Sequence, residues 1–234
     1  MNALVLLPPV VSTLIAFSFA LQLARRWRAR RRGHALAWAL SLSLFGLASL
    51  AAGIGVGFGW SQPVFGTYWV AGALLNVPLL AVGQLLLLDR KRALLWWSAA
   101  ALFGVWSVVS TLTASYDAGV LAHASATSTI PLGREVLAGS AAYALARPFS
   151  FTFVVVVIGS IWSSVRSRRP QVLLIALGVT VVAGSSSAVR VGNGELFSLL
   201  LIVGVSLMYA GFLAASRPPK AARGRGRGAA AESA

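Results

Sequence analysis

The residues best suited to binding a ligand lie in the third apolar stretch of the chain. Tyr68, Gly72 and Asn76 are spaced by four, which predicts that they share one face of a helix. Pro78 has no amide hydrogen, so it leaves the carbonyl of Leu74 without its usual helical partner. A free carbonyl beside an amide side chain can bind a small polar ligand or a cation within a membrane protein.

Two further side chains of this stretch, Trp69 and Gln84, complete the candidate site. We expect its ligand-binding residues to be Tyr68, Trp69, Asn76, Pro78 and Gln84. The alternative is that the amide of Asn76 bonds a neighbouring helix and stabilises the bundle by about 0.6 to 2 kcal/mol, as single amides in lipid usually do.

A second polar group consists of small hydroxyl residues at the ends of two other apolar stretches. Ser107, Ser110 and Thr111 precede one expected loop, and Ser185–Ser187 precede another. These hydroxyls could line a polar vestibule on the outer side. They could equally let helices pack closely and bond their own backbone.

Acid–base, metal and cofactor chemistry lack their usual residues. Asp117, His123 and Glu135 occupy one long loop but match no hydrolase motif, so no catalytic residue is expected. His34 and His123 are expected on opposite sides of the membrane, and the chain has no cysteine, so no metal site is expected. No cofactor is expected either.

The composition predicts an all-α membrane protein. Hydrophobic residues make up 58% of the 234 residues and charged residues only 11%, which excludes an ordinary soluble domain. Seven apolar segments are long enough to cross a bilayer with short connections. The predicted spans are residues 3–23, 35–58, 68–88, 93–112, 149–165, 172–189 and 196–215.

The distribution of basic residues predicts the orientation of these spans. Of the 20 Lys and Arg residues, 17 fall in four segments: 25–32, 90–92, 166–169 and 217–227. Because cytoplasmic loops carry the excess of positive charge, we expect the N-terminus outside and the C-terminus in the cytoplasm. The net charge of +15 then predicts contact with anionic lipids at the cytoplasmic face and no binding of nucleic acid.

Two further features concern the layout of the chain. Residues 31–36 can be aligned with residues 168–173, and both precede a span, which suggests a parallel repeat of three helices, a linker helix and three more. The last residues, 217–234, alternate Arg and Gly and are expected to form a disordered basic tail.

The run Tyr68–Pro78, with Gly83 and Leu85–Leu88, resembles a stretch of uncharacterised seven-span membrane proteins, chiefly of actinobacteria. That resemblance implies a seven-span fold and no particular activity. Microbial rhodopsins share the topology, but they hold retinal on a lysine of the last helix, and residues 196–215 contain none. PQ-loop and SWEET-type carriers resemble the suspected layout, although Pro170–Gln171 opens a span here instead of lying within one.

These observations lead to one leading hypothesis and two alternatives. The leading hypothesis is a non-enzymatic protein of the bacterial cytoplasmic membrane that carries or senses a small neutral or weakly polar molecule in a cavity beside the third span. The first alternative is a structural subunit that binds a membrane protein partner. The second, an enzyme acting on lipid headgroups, would need clustered acid and base groups at one interface.

Overall fold

The fold is all-helical in a computed structural model that describes residues 3–167, 173–190 and 194–216, and no strand occurs in those ranges. A π-helical segment, Trp69–Leu75, joins two of the α-helices, and a 3-10 turn, Arg90–Arg92, precedes another. The helices are α1 (Ala3–Arg30), α2 (Gly33–Phe58), α3 (Gln62–Tyr68), α4 (Asn76–Leu88), α5 (Ala93–Leu112), α6 (Ala118–Ala126), α7 (Gly133–Val136), α8 (Ala141–Ser150), α9 (Thr152–Ser167), α10 (Leu173–Arg190) and α11 (Gly194–Ser216).

Five helical stretches of the described chain are long and apolar enough to cross a membrane. This confirms the expectation of several apolar helices, while the count of seven spans and their orientation stay predictions. The five stretches are Leu6–Arg30, Gly33–Phe58, Gln62–Leu88, Arg90–Leu112 and Ala141–Trp162. A shorter apolar stretch, Leu199–Gly211, lies within α11.

The first basic run is helical, whereas the sequence predicted a loop after Leu23. α1 has 28 residues and is therefore about 42 Å long, which exceeds a hydrocarbon thickness of about 30 Å. Its last two turns carry the arginines. The chain reverses at Arg31, whose φ of 49° is left-handed, and α2 follows at once.

The long helices close into a ring. Packing runs from α1 to α2, from α2 to α4, and onward through α9, α10 and α11 back to α1. α5 lies outside this ring and contacts α4, the π-helical segment and α8. The suspected repeat of three helices, a linker helix and three more stays a prediction. Pro170–Gln171 and the tail 217–234 lie outside the described residues.

The two ends of the ring differ in chemistry. We call the end that holds Arg25–Arg32 and Arg90–Arg92 the arginine end, and the end that holds residues 113–140 the loop end. In the loop-end segment, the Asp117 carboxylate accepts a bond from the Val120 amide at 3.0 Å and so caps α6, which the sequence analysis did not predict. α7 and α8 are separate helices, and Gly139 between them has a φ of 71°.

Glycine allows a close helix crossing in the ring, between α10 and α11. A Cβ built on Gly178 would lie 2.5 Å from the carbonyl oxygen of Gly204. A Cβ on Gly204 would lie 2.8 Å from the carbonyl oxygen of Gly178. In lipid, where packing replaces the hydrophobic driving force, such small residues let helix backbones approach each other.

We therefore expect Gly204→Ala to destabilise the protein by about 1 to 3 kcal/mol, because the added methyl group overlaps backbone that cannot move aside. Gly104 on α5 is the matched control, since a Cβ there meets nothing within 4 Å. Thermal unfolding in detergent, followed by size-exclusion chromatography, measures both variants. Equal melting temperatures for Gly204→Ala and Gly104→Ala would contradict the crossing.

Candidate functional site

The third long helix, which consists of α3, the π-helical segment and α4, widens beside the candidate site. Its π-helical segment, Trp69–Leu75, spans seven residues and ends directly before Asn76. Pro78 follows shortly afterwards, and a proline ring in a regular α-helix collides with the carbonyl of the preceding turn. A widened turn before the proline relieves that collision. π-Helical turns are rare and frequently occur at functional sites.

Asn76 is held by a serine of the neighbouring helix. The hydroxyl oxygen of Ser41 on α2 lies 2.7 Å from the main-chain oxygen of Asn76 and 2.7 Å from its side-chain oxygen. Ser41 is only 1% exposed, so this contact lies inside the bundle. The interhelical bond that the sequence analysis weighed as the alternative role of Asn76 is therefore present.

This bond uses only part of the hydrogen-bonding capacity of Asn76. A hydroxyl has one hydrogen, so Ser41 donates to only one of the two oxygens. If the side-chain amide of Asn76 is turned by about 180°, its NH2 group points at Ser41, and the Ser41 hydroxyl then donates to the main-chain oxygen. In both orientations, one polar atom of the amide keeps no partner among the described residues.

The amide lines a cavity of about 30 Å³ between α2, α4, α9, α10 and α11. Its polar lining residues are Ser41 and Asn76, and the other walls are apolar, including Phe45, Val179 and Val205. A volume of this size holds one or two water molecules. The cavity therefore offers a small neutral molecule one amide and one hydroxyl in apolar surroundings.

A second side chain of α2 donates a hydrogen bond to α4, on the C-terminal side of Pro78. The indole Nε1 of Trp38 donates to the carbonyl oxygen of Leu80 at 3.2 Å. Gly83 makes room for this indole, since a Cβ at Gly83 would overlap the Trp38 ring. Sequence analysis missed both Ser41 and Trp38. The only available signal was one tryptophan and three serines within an otherwise apolar span.

Gln84 points away from the cavity, toward α9. Its side chain is 3% exposed, and its Nε2 has no hydrogen-bond partner within the described ranges. Gly159 on α9 provides the space, because a Cβ there would lie 2.9 Å from Nε2 and still closer to Cγ. Gln84 is therefore a buried donor at the α4–α9 crossing, apart from Asn76.

Tyr68 and Trp69 belong to an aromatic cluster at the loop end. Trp69 stacks on Phe65 with ring centroids 6.0 Å apart and on Tyr143 at 6.2 Å. Tyr68 meets the edge of Trp60 at 5.6 Å. Neither Tyr68 nor Trp69 lines the cavity at Asn76. The predicted site residues therefore fall in three places: this cluster, the cavity beside Asn76 and Pro78, and the α9 crossing.

Trp69 fastens the loop end to the third helix. Its indole Nε1 donates to the carbonyl oxygen of Ala142 at 3.1 Å. A Cβ on Gly133 would overlap the indole ring, so this position needs glycine. Trp60 makes a similar attachment, donating from Nε1 to the carbonyl oxygen of Thr129 at 2.7 Å.

The hydroxyl side chains of Ser107, Ser110 and Thr111 on α5 are buried and line no open vestibule among the described residues. Ser110 donates to the carbonyl oxygen of Ser107 at 3.1 Å, while the hydroxyls of Ser107 and Thr111 have no partner there. Tyr116 donates to the carbonyl oxygen of Thr111 at 2.9 Å, and partial burial raises the pKa of Tyr116. The side chains of Ser185–Ser187 lie outside the described part.

The acidic residues of the loop end each have a local partner. Asp117 caps α6, and Glu135 forms an exposed ion pair with Arg134 at 3.5 Å. His123 is exposed on α6. No group of metal-ligating side chains occurs among the residues that were placed.

No protein-family model, no curated protein and no solved structure matches this chain. The resemblance to seven-span actinobacterial proteins therefore stays a prediction.

The bond between α2 and Asn76 predicts a stability effect. Ser41→Ala should destabilise the protein by about 0.6 to 2 kcal/mol, because it removes an interhelical hydrogen bond. Ser43→Ala is the matched control, since the Ser43 hydroxyl bonds only the Ala39 carbonyl of its own helix, at 2.9 Å. Thermal unfolding in one detergent compares them. A larger loss for Ser43→Ala would contradict the assignment.

The contact between Gly133 and Trp69 predicts a rescue. Gly133→Ala should loosen the loop end, because the new methyl group occupies the space of the indole, and Trp69→Leu in the same chain should restore part of the stability. Limited proteolysis of residues 113–140 measures the loosening. Additive losses in the double variant would show that the two positions do not share this space.

Proposed function

We propose that the chain crosses the bacterial cytoplasmic membrane seven times, with the arginine end in the cytoplasm. Five stretches of suitable length and apolarity support this proposal. The paired packing of α10 with α11 supports two further spans. The orientation follows from the basic residues of the arginine end, because positively charged loops stay on the cytoplasmic side.

We further propose that the protein carries or senses a small neutral molecule that binds at Asn76. The observation that carries this proposal is the incompletely bonded amide of Asn76 facing a cavity at the junction of five helices. An amide inside a bundle is costly unless it is bonded, and a ligand with one donor or acceptor would complete its bonding. A charged ligand would lack a counter-ion among the lining residues.

The surroundings of the cavity suggest how access to it is controlled. Toward the arginine end, Gln22 on α1 donates from Nε2 to the hydroxyl of Tyr209 on α11 at 2.5 Å. Toward the loop end, the aromatic cluster around Trp69 covers the third helix. The cavity is small in this closed arrangement, so a carried molecule needs one of these two contacts to open. The π-helical segment lies between the loop-end contact and the cavity.

A second candidate function, a subunit that binds a membrane partner, is favoured by α5. This helix lies outside the ring, and its apolar side chains are largely exposed, among them Leu102, Val105 and Leu112. Such a face suits a partner helix as well as lipid. Copurification from native membranes in stoichiometric amounts would favour this candidate over the carrier or sensor.

The test is solute flux into liposomes that contain the purified full-length chain. Glycerol, urea and acetamide serve as neutral probes, and light scattering follows the volume change. We expect Asn76→Leu to lower the protein-dependent flux of an accepted probe about five- to tenfold, the equivalent of one lost hydrogen bond. Gln62→Leu, an exposed amide at the start of α3, is the matched control.

The same probes test the sensing alternative. A sensor without flux should show a probe-dependent rise in melting temperature that Asn76→Leu abolishes and Gln62→Leu leaves intact. If a folded Asn76→Leu variant keeps both the flux and the thermal response of the parent chain, the cavity at Asn76 is not the binding site.

A further inference from the structure

The arginine end has a large excess of positive charge. The segments Arg25–Arg32 and Arg90–Arg92 together contain nine Arg and Lys residues. Those side chains are exposed, with Trp27 half-buried among them. The adjoining carboxylate, Asp89, cannot balance nine cations. An anion from the surroundings is therefore needed at this end.

Asp89 is already engaged within its own turn. One of its carboxylate oxygens lies 3.6 Å from Nε of Arg92, and the other accepts a bond from the Lys91 amide at 3.1 Å. Arg32 and Arg90, in contrast, form no ion pair with any described residue. Both guanidinium groups are therefore available for an external anion.

Arg32 and Arg90 both flank the junction of α2, α4 and α5, because Arg32 directly precedes α2 and Arg90 lies between α4 and α5. His34, in the first turn of α2, lies within electrostatic range of both Arg32 and Arg90. Trp97 of α5 reaches the same place, because its Nε1 would lie 3.6 Å from a Cβ on Gly33. That indole donor is partly exposed and bonds no acceptor in the described chain. The junction therefore presents several donors, and the nearby carboxylate of Asp89 is already bonded within its own turn.

Apolar side chains continue directly from this junction along the outside of α4 and α5. Leu94 is 82% exposed, and Leu88 and Leu95 are about half exposed. A free phosphate ion would gain nothing from these leucines. A phospholipid would place its acyl chains on them while its headgroup lies among the donors.

We propose that one anionic phospholipid binds at this junction, with its phosphate between Arg32 and Arg90 and its ester region at Trp97. Guanidinium groups bind phosphate through paired, charge-assisted hydrogen bonds, and tryptophan favours the headgroup level of a bilayer. The acyl chains lie along Leu94 and Leu95. This lipid site is separate from the cavity at Asn76 and does not depend on what that cavity binds.

The experiment is native mass spectrometry of the full chain in neutral detergent, titrated with phosphatidylglycerol or phosphatidylcholine. We expect one phosphatidylglycerol to bind first and more tightly than any phosphatidylcholine. Arg32→Gln with Arg90→Gln should weaken that first binding about thirtyfold, from roughly a factor of five for each arginine near the headgroups. Arg25→Gln with Arg28→Gln removes the same charge elsewhere on the arginine end and serves as the matched control.

The outcomes separate a defined site from general attraction. A selective loss in the Arg32/Arg90 variant supports the proposal. Equal losses in both double variants would overturn it, because the lipid would then respond to net charge alone. Displacement of the bound lipid by millimolar glycerol phosphate would also overturn it, since a soluble phosphate would then suffice without acyl chains.

Discussion

Every backbone amide and carbonyl of this chain needs a partner wherever lipid replaces water, and the structure follows from that requirement. The helices satisfy most of these groups internally. One interruption is the proline at position 78, which removes one donor in the third helix. Around it, the helix widens, and two side chains of α2, Ser41 and Trp38, donate to the carbonyl oxygens of Asn76 and Leu80. The candidate site therefore arises where regular helical bonding is interrupted.

The sequence predicted much of the architecture, because span length and apolarity are set by the bilayer itself. α5 coincides with the predicted fourth span, residues 93–112. The helical extension through Arg25–Arg30 was not predicted, since positive charge indicates only that a segment leaves the hydrocarbon, not its conformation. α6 was also missed, although Asp117 is a typical N-cap residue. Packing against the aromatic cluster, which depends on distant residues, decides the structure of that loop.

The candidate site was predicted less well, and the π-helical segment explains why. A spacing of four places Tyr68, Gly72 and Asn76 on one face only if each turn is an α-turn. The turns between Trp69 and Leu75 are wider, so Tyr68 is turned away from Gly72 and Asn76, which both face α2. Tyr68 therefore faces the aromatic cluster, while Asn76 faces α2. No local pattern reveals that Ser41 is the partner of Asn76, because the bond joins positions far apart in the chain.

The attachment of Trp69 also gives the chain an order of assembly. α1 to α5 leave the ribosome before Gly133 and Ala142, which enclose the indole, have been synthesised. Until α8 arrives, the ring of Trp69 and the neighbouring Phe65 lack their cover. A nascent chain halted in this interval would present uncovered aromatic surface to chaperones and proteases, so completion of this region of the fold depends on the second half of the protein.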